Sequence, residues 1–182
     1  MRARANLASP APIAGFDGEG AGTRVLEPQL REIYLHPGQM YASKQPARIS
    51  MILGSCVSVC LFDHRQMIGG ATHYMLAKWD RTGQPSARYG DVAIDSLISQ
   101  LQLLGSRAKD LRGMIFGGAR MFQALGAENG GHIGTRNVEI AAAILSQHAI
   151  SVVKKNIGGC NGRKLRMQTD TGMVSLSLIG NE

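Results

Sequence analysis

Apolar and polar residues alternate with the period of a strand through most of the first half of the chain, and switch to helical spacing in two later windows. Glu32-Ile33-Tyr34-Leu35 predicts a strand stopped by Pro37-Gly38, and Arg48-Ile49-Ser50-Met51-Ile52-Leu53 predicts a second. Val57-Ser58-Val59-Cys60-Leu61-Phe62 predicts a third, returned through Asp63-His64-Arg65-Gln66 by a strand near Met67-Ile68. Residues 77–90 carry Gly83, Pro85, Ser86 and Gly90 among charges and read as a long loop, a feature often tied to function in compact domains. Ile94, Leu97, Ile98, Leu101 and Leu104 recur at helical spacing, with Asp91 near the start and Gly105 where a C-terminal cap belongs. Gly113-Met114-Ile115-Phe116 predicts a short buried strand ending in Gly117-Gly118. A second helix is expected from about Asn137 to His148, with Ile140 and Ile144 on its apolar face. Strands follow at Ile150 to Val153, Lys164 to Gln168 and Met173 to Ile179, the last two joined by Thr169-Asp170-Thr171-Gly172. Strands interleaved with two or three helices predict an α/β sandwich with a mixed sheet.

At 182 residues the chain suits one well-buried domain. Residues 1–24 are rich in Ala and Gly, with Pro10 and Pro12, and hold few bulky apolar groups to offset their ordering entropy, so they read as a disordered tail before a domain over 25–182. The formal charge of +7 favours acidic partners, but its cations are scattered outside Lys154-Lys155 and Arg163-Lys164-Arg166, and no aromatics are interleaved with them. Nucleic acid is therefore not the expected partner. Three cysteines at unhelpful spacings argue against a disulfide scaffold and for a reducing compartment. The sequence shows neither a run long enough to span a membrane nor the apolar core of a signal peptide, so a cytoplasmic protein without membrane insertion is expected.

Against this background Cys56 stands out. It ends Leu53-Gly54-Ser55-Cys56, a small-residue turn that delivers a thiol to the start of a strand. His73, in Gly69-Gly70-Ala71-Thr72-His73, follows after one apparent hairpin, so two short strands could return an imidazole to that thiol. An adjacent imidazolium would lower the thiol pKa and raise the thiolate fraction. Ser50, at the far end of the segment entering the turn, could orient the imidazole as the third member of a triad, or be a strand residue with an internally bonded hydroxyl. If residues 56 to 62 are extended, Cys60 shares a face with Cys56 but lies about 13 Å away at 3.3 Å per residue, and reads as core. Cys160 sits between Gly159 and Asn161 in a turn-like segment, while His36, His64, His132 and His148 fall in loops or on helix surfaces. A zinc site from Cys56, Cys60, His73 and Cys160 lacks the paired-cysteine knuckle such sites use. Gly117-Gly118 lacks the remaining residues of a phosphate loop, which leaves close packing at a strand end.

Taken together, Leu53-Gly54-Ser55-Cys56-Val57, Gly70-Ala71-Thr72-His73-Tyr74-Met75-Leu76, Phe116-Gly117-Gly118-Ala119 with Met121-Phe122, Ile133-Gly134-Thr135-Arg136-Asn137, and Gly158-Gly159 followed by Gly162-Arg163-Lys164 resemble the CheD family of chemoreceptor glutamine deamidases. The blocks keep their order across residues 30–179. The resemblance implies a three-layered α/β sandwich similar to the deamidase domain of cytotoxic necrotizing factors, a hydrolase acting on side-chain carboxamides without a cofactor or metal, and chemoreceptor cytoplasmic helices as substrate. It places the nucleophile on Cys56, its histidine on His73 and the third catalytic position on Ser50, where family members carry threonine. It also implies oxyanion support from backbone N–H groups at the Gly54-Ser55-Cys56 turn, a thioester intermediate, and the phosphatase CheC as a partner that can restrain the enzyme. Ala77 stands where the family commonly has proline. Two other classes fit parts of the sequence: a binding adaptor on the same fold without turnover, and a zinc- or RNA-binding domain.

Overall fold

The computed structural model describes residues 30–120 and 132–179. The expected tail over 1–24 and the Met121-Phe122 pair lie outside these residues. Among the described residues nine strands and two α-helices follow in the order β1 (Arg31–Tyr34), β2 (Gln39–Ser43), β3 (Ala47–Leu53), β4 (Val57–Asp63), β5 (Ile68–His73), α1 (Gly90–Leu103), β6 (Leu111–Gly117), α2 (Ile133–Gln147), β7 (Ser151–Ile157), β8 (Gly162–Gln168) and β9 (Val174–Ile179). A single turn of 3₁₀ helix, Ala108–Asp110, leads into β6.

The strands form two sheets, of order β1-β3-β8-β9 and β2-β5-β4-β6-β7, where the sequence led us to expect one. Each is mixed, with one parallel pair, β1 with β3 and β6 with β7, beside antiparallel ones. An α/β fold with mixed sheets is what the alternation of elements predicted. The division into two sheets was hidden because a period of two identifies a strand but not its neighbours.

Burial explains the patterns. In β3, Ala47, Ile49, Met51 and Leu53 are buried while Arg48 and Ile52 are exposed and Ser50 half-buried, the signature of a sheet with one wet face. In β4 every residue but Phe62 is buried, because both faces are covered. Val57, Val59 and Leu61 join Ile94, Leu97, Leu101, Ile144 and Leu145 in the core between the sheet and the helices. Cys60 joins Leu35, Ile49, Met51, Leu53, Phe116, Leu165 and Met167 in the core between the two sheets. The strand β7, at one edge of the five-stranded sheet, is mostly exposed and carries Lys154 and Lys155, which discourage a further chain from adding there.

β2 was not anticipated. Its residues are nearly all half-buried, so no alternation marks it, yet it pairs with β5 from Gln39 opposite His73 to Ser43 opposite Gly69. α2 also begins four residues before the expected Asn137, with His132 as its N-terminal cap and its Nδ1 accepting from the Gly134 N–H at 3.3 Å.

Candidate active site

The chain crosses from one sheet to the other at Gly54-Ser55-Cys56, which joins β3 to β4. This turn is fixed from several sides. The Gly54 carbonyl accepts from Ala119 N–H at 2.8 Å, and the Cys56 carbonyl accepts from Gly118 N–H at 2.9 Å. A Cβ on Gly117, whose φ is +108°, would collide with the Cys56 carbonyl, and one on Gly118, at φ +70°, would press on the Gly134 carbonyl. Gly117-Gly118 is thus a close-packing element beneath the turn, as its sequence context suggested.

The β4–β5 hairpin returns His73 to this turn. Cys60 lies opposite Ala71, and Val57 pairs with Tyr74 through two backbone bonds of 3.1 Å each. That register sets Ser58 opposite His73 and makes Cys56 the diagonal neighbour of His73 on the same sheet face, since opposed residues of an antiparallel pair point to one side. Both side chains face the inter-sheet core, against which Cys56 packs. Between these two paired stretches, which share one register, Thr72 bridges the ladder, its Oγ1 accepting from Val59 N–H at 3.0 Å.

His73 is buried, at 2% exposure, and its Nδ1 lies 2.9 Å from the Leu35 carbonyl. A carbonyl can only accept, so Nδ1 carries the proton and Nε2 is the basic nitrogen. Nε2 is buried with no hydrogen-bond partner among the described residues. Burial pushes the His73 pKa below the ordinary imidazole value, more than the Leu35 bond raises it, and His36 adds a small depression. Burial also raises the Cys56 thiol, only partly offset by its own backbone N–H. Burial therefore favours the neutral form of each, thiol and imidazole. The thiolate with imidazolium expected from the residue types is not what this environment favours, because desolvation penalises both charged forms.

Ser50 is not brought to His73. It alternates with the inward-facing Ile49 and Met51 and lies on the outer face of its sheet, beside Tyr34 and Arg166 in register. The place assigned to its hydroxyl is taken by the Leu35 carbonyl. Ser50 still contributes through its backbone, since its carbonyl accepts from Leu35 N–H at 2.9 Å and so helps hold the residue that holds His73. Cys60 is fully buried beside Ser58, and its thiol is pushed up to about 12. Cys160 is exposed in the turn between β7 and β8. Among the described residues no group of three or more metal-ligating side chains gathers, so the four residues of the zinc alternative are not assembled.

The family model described as "CheD chemotactic sensory transduction" matches residues 75–177, more than half of the chain. The chain belongs to the CheD family. A probable chemoreceptor glutamine deamidase CheD of Sulfurimonas denitrificans is 37% identical over 146 residues, covering 80% of this chain and 93% of that protein. One from Rhodospirillum rubrum is 42% identical, covering 80% and 81%. Among solved structures, a hypothetical protein YfiH of Bacillus licheniformis is similar at a TM-score of 0.42 and 15% identity, over 66% of this chain and 49% of that one.

Two residues of this CheD chain matter to the site without having been given a role from sequence. Leu35 acts through its carbonyl, which no sequence pattern singles out. Asn137 is fully buried, and its Nδ2 donates to the Met75 carbonyl at 2.8 Å and the Ser55 carbonyl at 3.3 Å. The only available signal was its place at the end of the Ile133-Gly134-Thr135-Arg136-Asn137 block. Beside it a cleft of about 440 Å³ is lined by Leu76, Lys78, Asp80, Tyr89, Arg136 and Asn137 among others.

Proposed function

We propose that this protein is a chemoreceptor glutamine deamidase, a hydrolase converting glutamine side chains of receptor helices to glutamate through a Cys56 thioester. The observation that carries the reading is Cys56 beside His73 on one sheet face, with Nδ1 held by Leu35 so that Nε2 is the free base. Membership of a family whose curated relatives bear that activity in their names supplies the substrate.

Each step follows from the neutral resting pair. As a carboxamide enters, Cys56 Sγ gives its proton to His73 Nε2 and attacks the carboxamide carbon. The carbonyl π electrons move to oxygen, and the oxyanion is received by the Ser55 and Cys56 N–H groups, which donate to no other residue's carbonyl among the described residues. On collapse the C–N bond breaks and the nitrogen takes the proton from His73, leaving as ammonia. Water then loses a proton to His73 Nε2 while its oxygen attacks the thioester, and the C–S bond breaks to return thiol and glutamate. The depressed His73 pKa suits this cycle, because the imidazole must begin each half-reaction unprotonated.

The same reading includes a three-layered arrangement of outer sheet, inner sheet and helices, similar to the cytotoxic necrotizing factor deamidase domain. The two separate cores support it. It further takes the CheC phosphatase as a restraining partner, excludes nucleic acid, assigns the deamidase domain to residues 25–182, and has the protein in the cytoplasm. No helix among the described residues is long and apolar enough to cross a membrane.

The test is incubation with receptor cytoplasmic fragments, with mass spectrometry reading conversion of glutamine to glutamate, with and without prior alkylation of thiols. Conversion that alkylation abolishes is the expected result. Tight fragment binding without conversion would favour an adaptor and sink the enzymatic reading.

A further inference from the structure

The Asn137 amide bridges the two segments that carry the reacting groups. Ser55 directly precedes the nucleophile, and Met75 lies two residues beyond His73, so one planar NH₂ ties both ends of the site to α2. Among the described residues no other donor reaches either carbonyl. The orientation of the amide is fixed by the same contacts, because reversing it would set Oδ1 against two carbonyl oxygens. Asn137 is itself held by Tyr74 Oη, which donates to its carbonyl at 2.6 Å.

The arrangement is costly. Asn137 Oδ1 is buried with no partner among the described residues, and an unpaired buried acceptor costs on folding. An apolar side chain would avoid that penalty but would leave the Ser55 and Met75 carbonyls unpaired. A carboxylate of the same shape would repel both. A side chain with two coplanar donors on one nitrogen meets the two oxygens at once, whereas of Val57 and Tyr74, the pair between these segments, only Tyr74 carries a polar group, and its Oη is already engaged with the Asn137 carbonyl.

We infer that Asn137 is a positioning residue for this reaction: its amide sets the spacing between the Cys56 turn and the strand end carrying His73. This rests on the deamidase reading above and names a residue that the reading does not need. The geometry matters because the transfer from Sγ to Nε2 and the attack on the carboxamide must share one alignment, and a misplacement of about 1 Å can cost on the order of 10²-fold in rate.

The experiment compares Asn137→Leu, which fills the volume without a donor, with Asn137→Gln, which keeps the NH₂ on a longer arm. Deamidation kinetics on a receptor fragment are read with thermal melts, and Cys56→Ala is run alongside. Asn137→Leu is expected to lower kcat about 10²-fold with KM nearly unchanged, and Asn137→Gln to recover at least about tenfold of that loss. Should Asn137→Leu not fold, the smaller and equally donor-free Asn137→Val carries the same comparison. Wild-type kcat in a folded donor-free variant overturns the inference. So does a loss that merely follows the folded fraction, with KM and kcat falling back to wild type per folded molecule. Continued deamidation by Cys56→Ala would instead overturn the reading of the site itself.

Discussion

β3 and β4 meet at the Cys56 turn, but they belong to different surroundings. β3 lies in a sheet with one face in solvent, and its Ser50 looks outward with Arg48 and Ile52. β4 lies in a sheet covered on both sides, and its Ser58 and Cys60, with Cys56 in the turn just before it, look into the space between the sheets. Six residues of separation would suggest that Ser50 and Cys56 share a face if the chain ran straight, but the crossing at Gly54-Ser55-Cys56 ends that count. A second contrast lies between two thiols. Cys56 is half-buried in the turn that precedes β4, whereas Cys60, on the same face, is enclosed and its thiol is pushed up to about 12. Position along the chain, not residue type, sets the half-buried thiol apart from the core one.

The largest effect expected from breaking this contrast is at Cys56 itself. Cys56→Ala should abolish deamidation while the circular dichroism and melting curve remain native, and Cys56→Ser should be nearly as inactive because a hydroxyl with a weak neighbouring base is a poor nucleophile. Ammonia release by folded Cys56→Ala would remove the thiol from the mechanism.

His73→Ala should lower kcat by at least about 10²-fold, since one imidazole serves as base and acid in both half-reactions. In the wild type the active form is neutral imidazole, and its pKa lies below the ordinary 6.5, so kcat/KM should hold as pH falls through 6.5 and decline only beneath it. The sign for stability is the same. The unfolded chain binds the His73 proton more readily than the folded one, so this contribution is present above 6.5 and is lost on acidification. An acid limb centred above 6.5 would contradict a buried neutral base.

Gly117→Ala comes next, because its Cβ would meet the Cys56 carbonyl at a φ that side chains rarely adopt. We expect about 1 to 3 kcal/mol of lost stability together with reduced kcat, read from denaturant melts and turnover on the same sample. Cys60→Ala should cost about 1 to 2 kcal/mol from lost packing and keep turnover. Inactivity of a well-folded Cys60→Ala protein would show that the two thiols have been assigned the wrong way round.

The smallest expected effect is at Ser50. Its side chain faces away from His73, so Ser50→Ala should leave both kcat and KM unchanged, in contrast to a third catalytic residue. A fall in kcat with an unaltered melting temperature would restore the hydroxyl to the site. Substitution of Leu35 by another apolar residue offers the complement: the carbonyl persists, so activity should follow packing alone.

Much of this is legible in the residues alone. The run after Cys56 and the return strand to His73 predicted the hairpin, and the spacing of Ile94, Leu97, Ile98 and Leu101 predicted α1, because burial of one face imposes its period directly on the residues. The start of α2 was missed, since Gly134 and Thr135 are weak helix formers. Gly134 is there because the Gly118 carbonyl approaches too closely for a Cβ, a contact between segments far apart in sequence. β2 was missed because a half-buried edge strand leaves no alternation to read.

The sequence by itself determined which residue types could do the chemistry: a thiol after a Gly-Ser turn, an imidazole one hairpin away, and glycines where backbone must approach backbone. Only the tertiary structure decided how they act. It set the Leu35 carbonyl, not the Ser50 hydroxyl, against His73, disfavoured the charged forms of Cys56 and His73 by burying them, and brought Asn137 from another element to bridge the segments that carry them. The physical reason is that every residue carries a carbonyl and an N–H, so backbone partners leave no mark in a sequence. Desolvation likewise belongs to the packed neighbourhood and not to any single position.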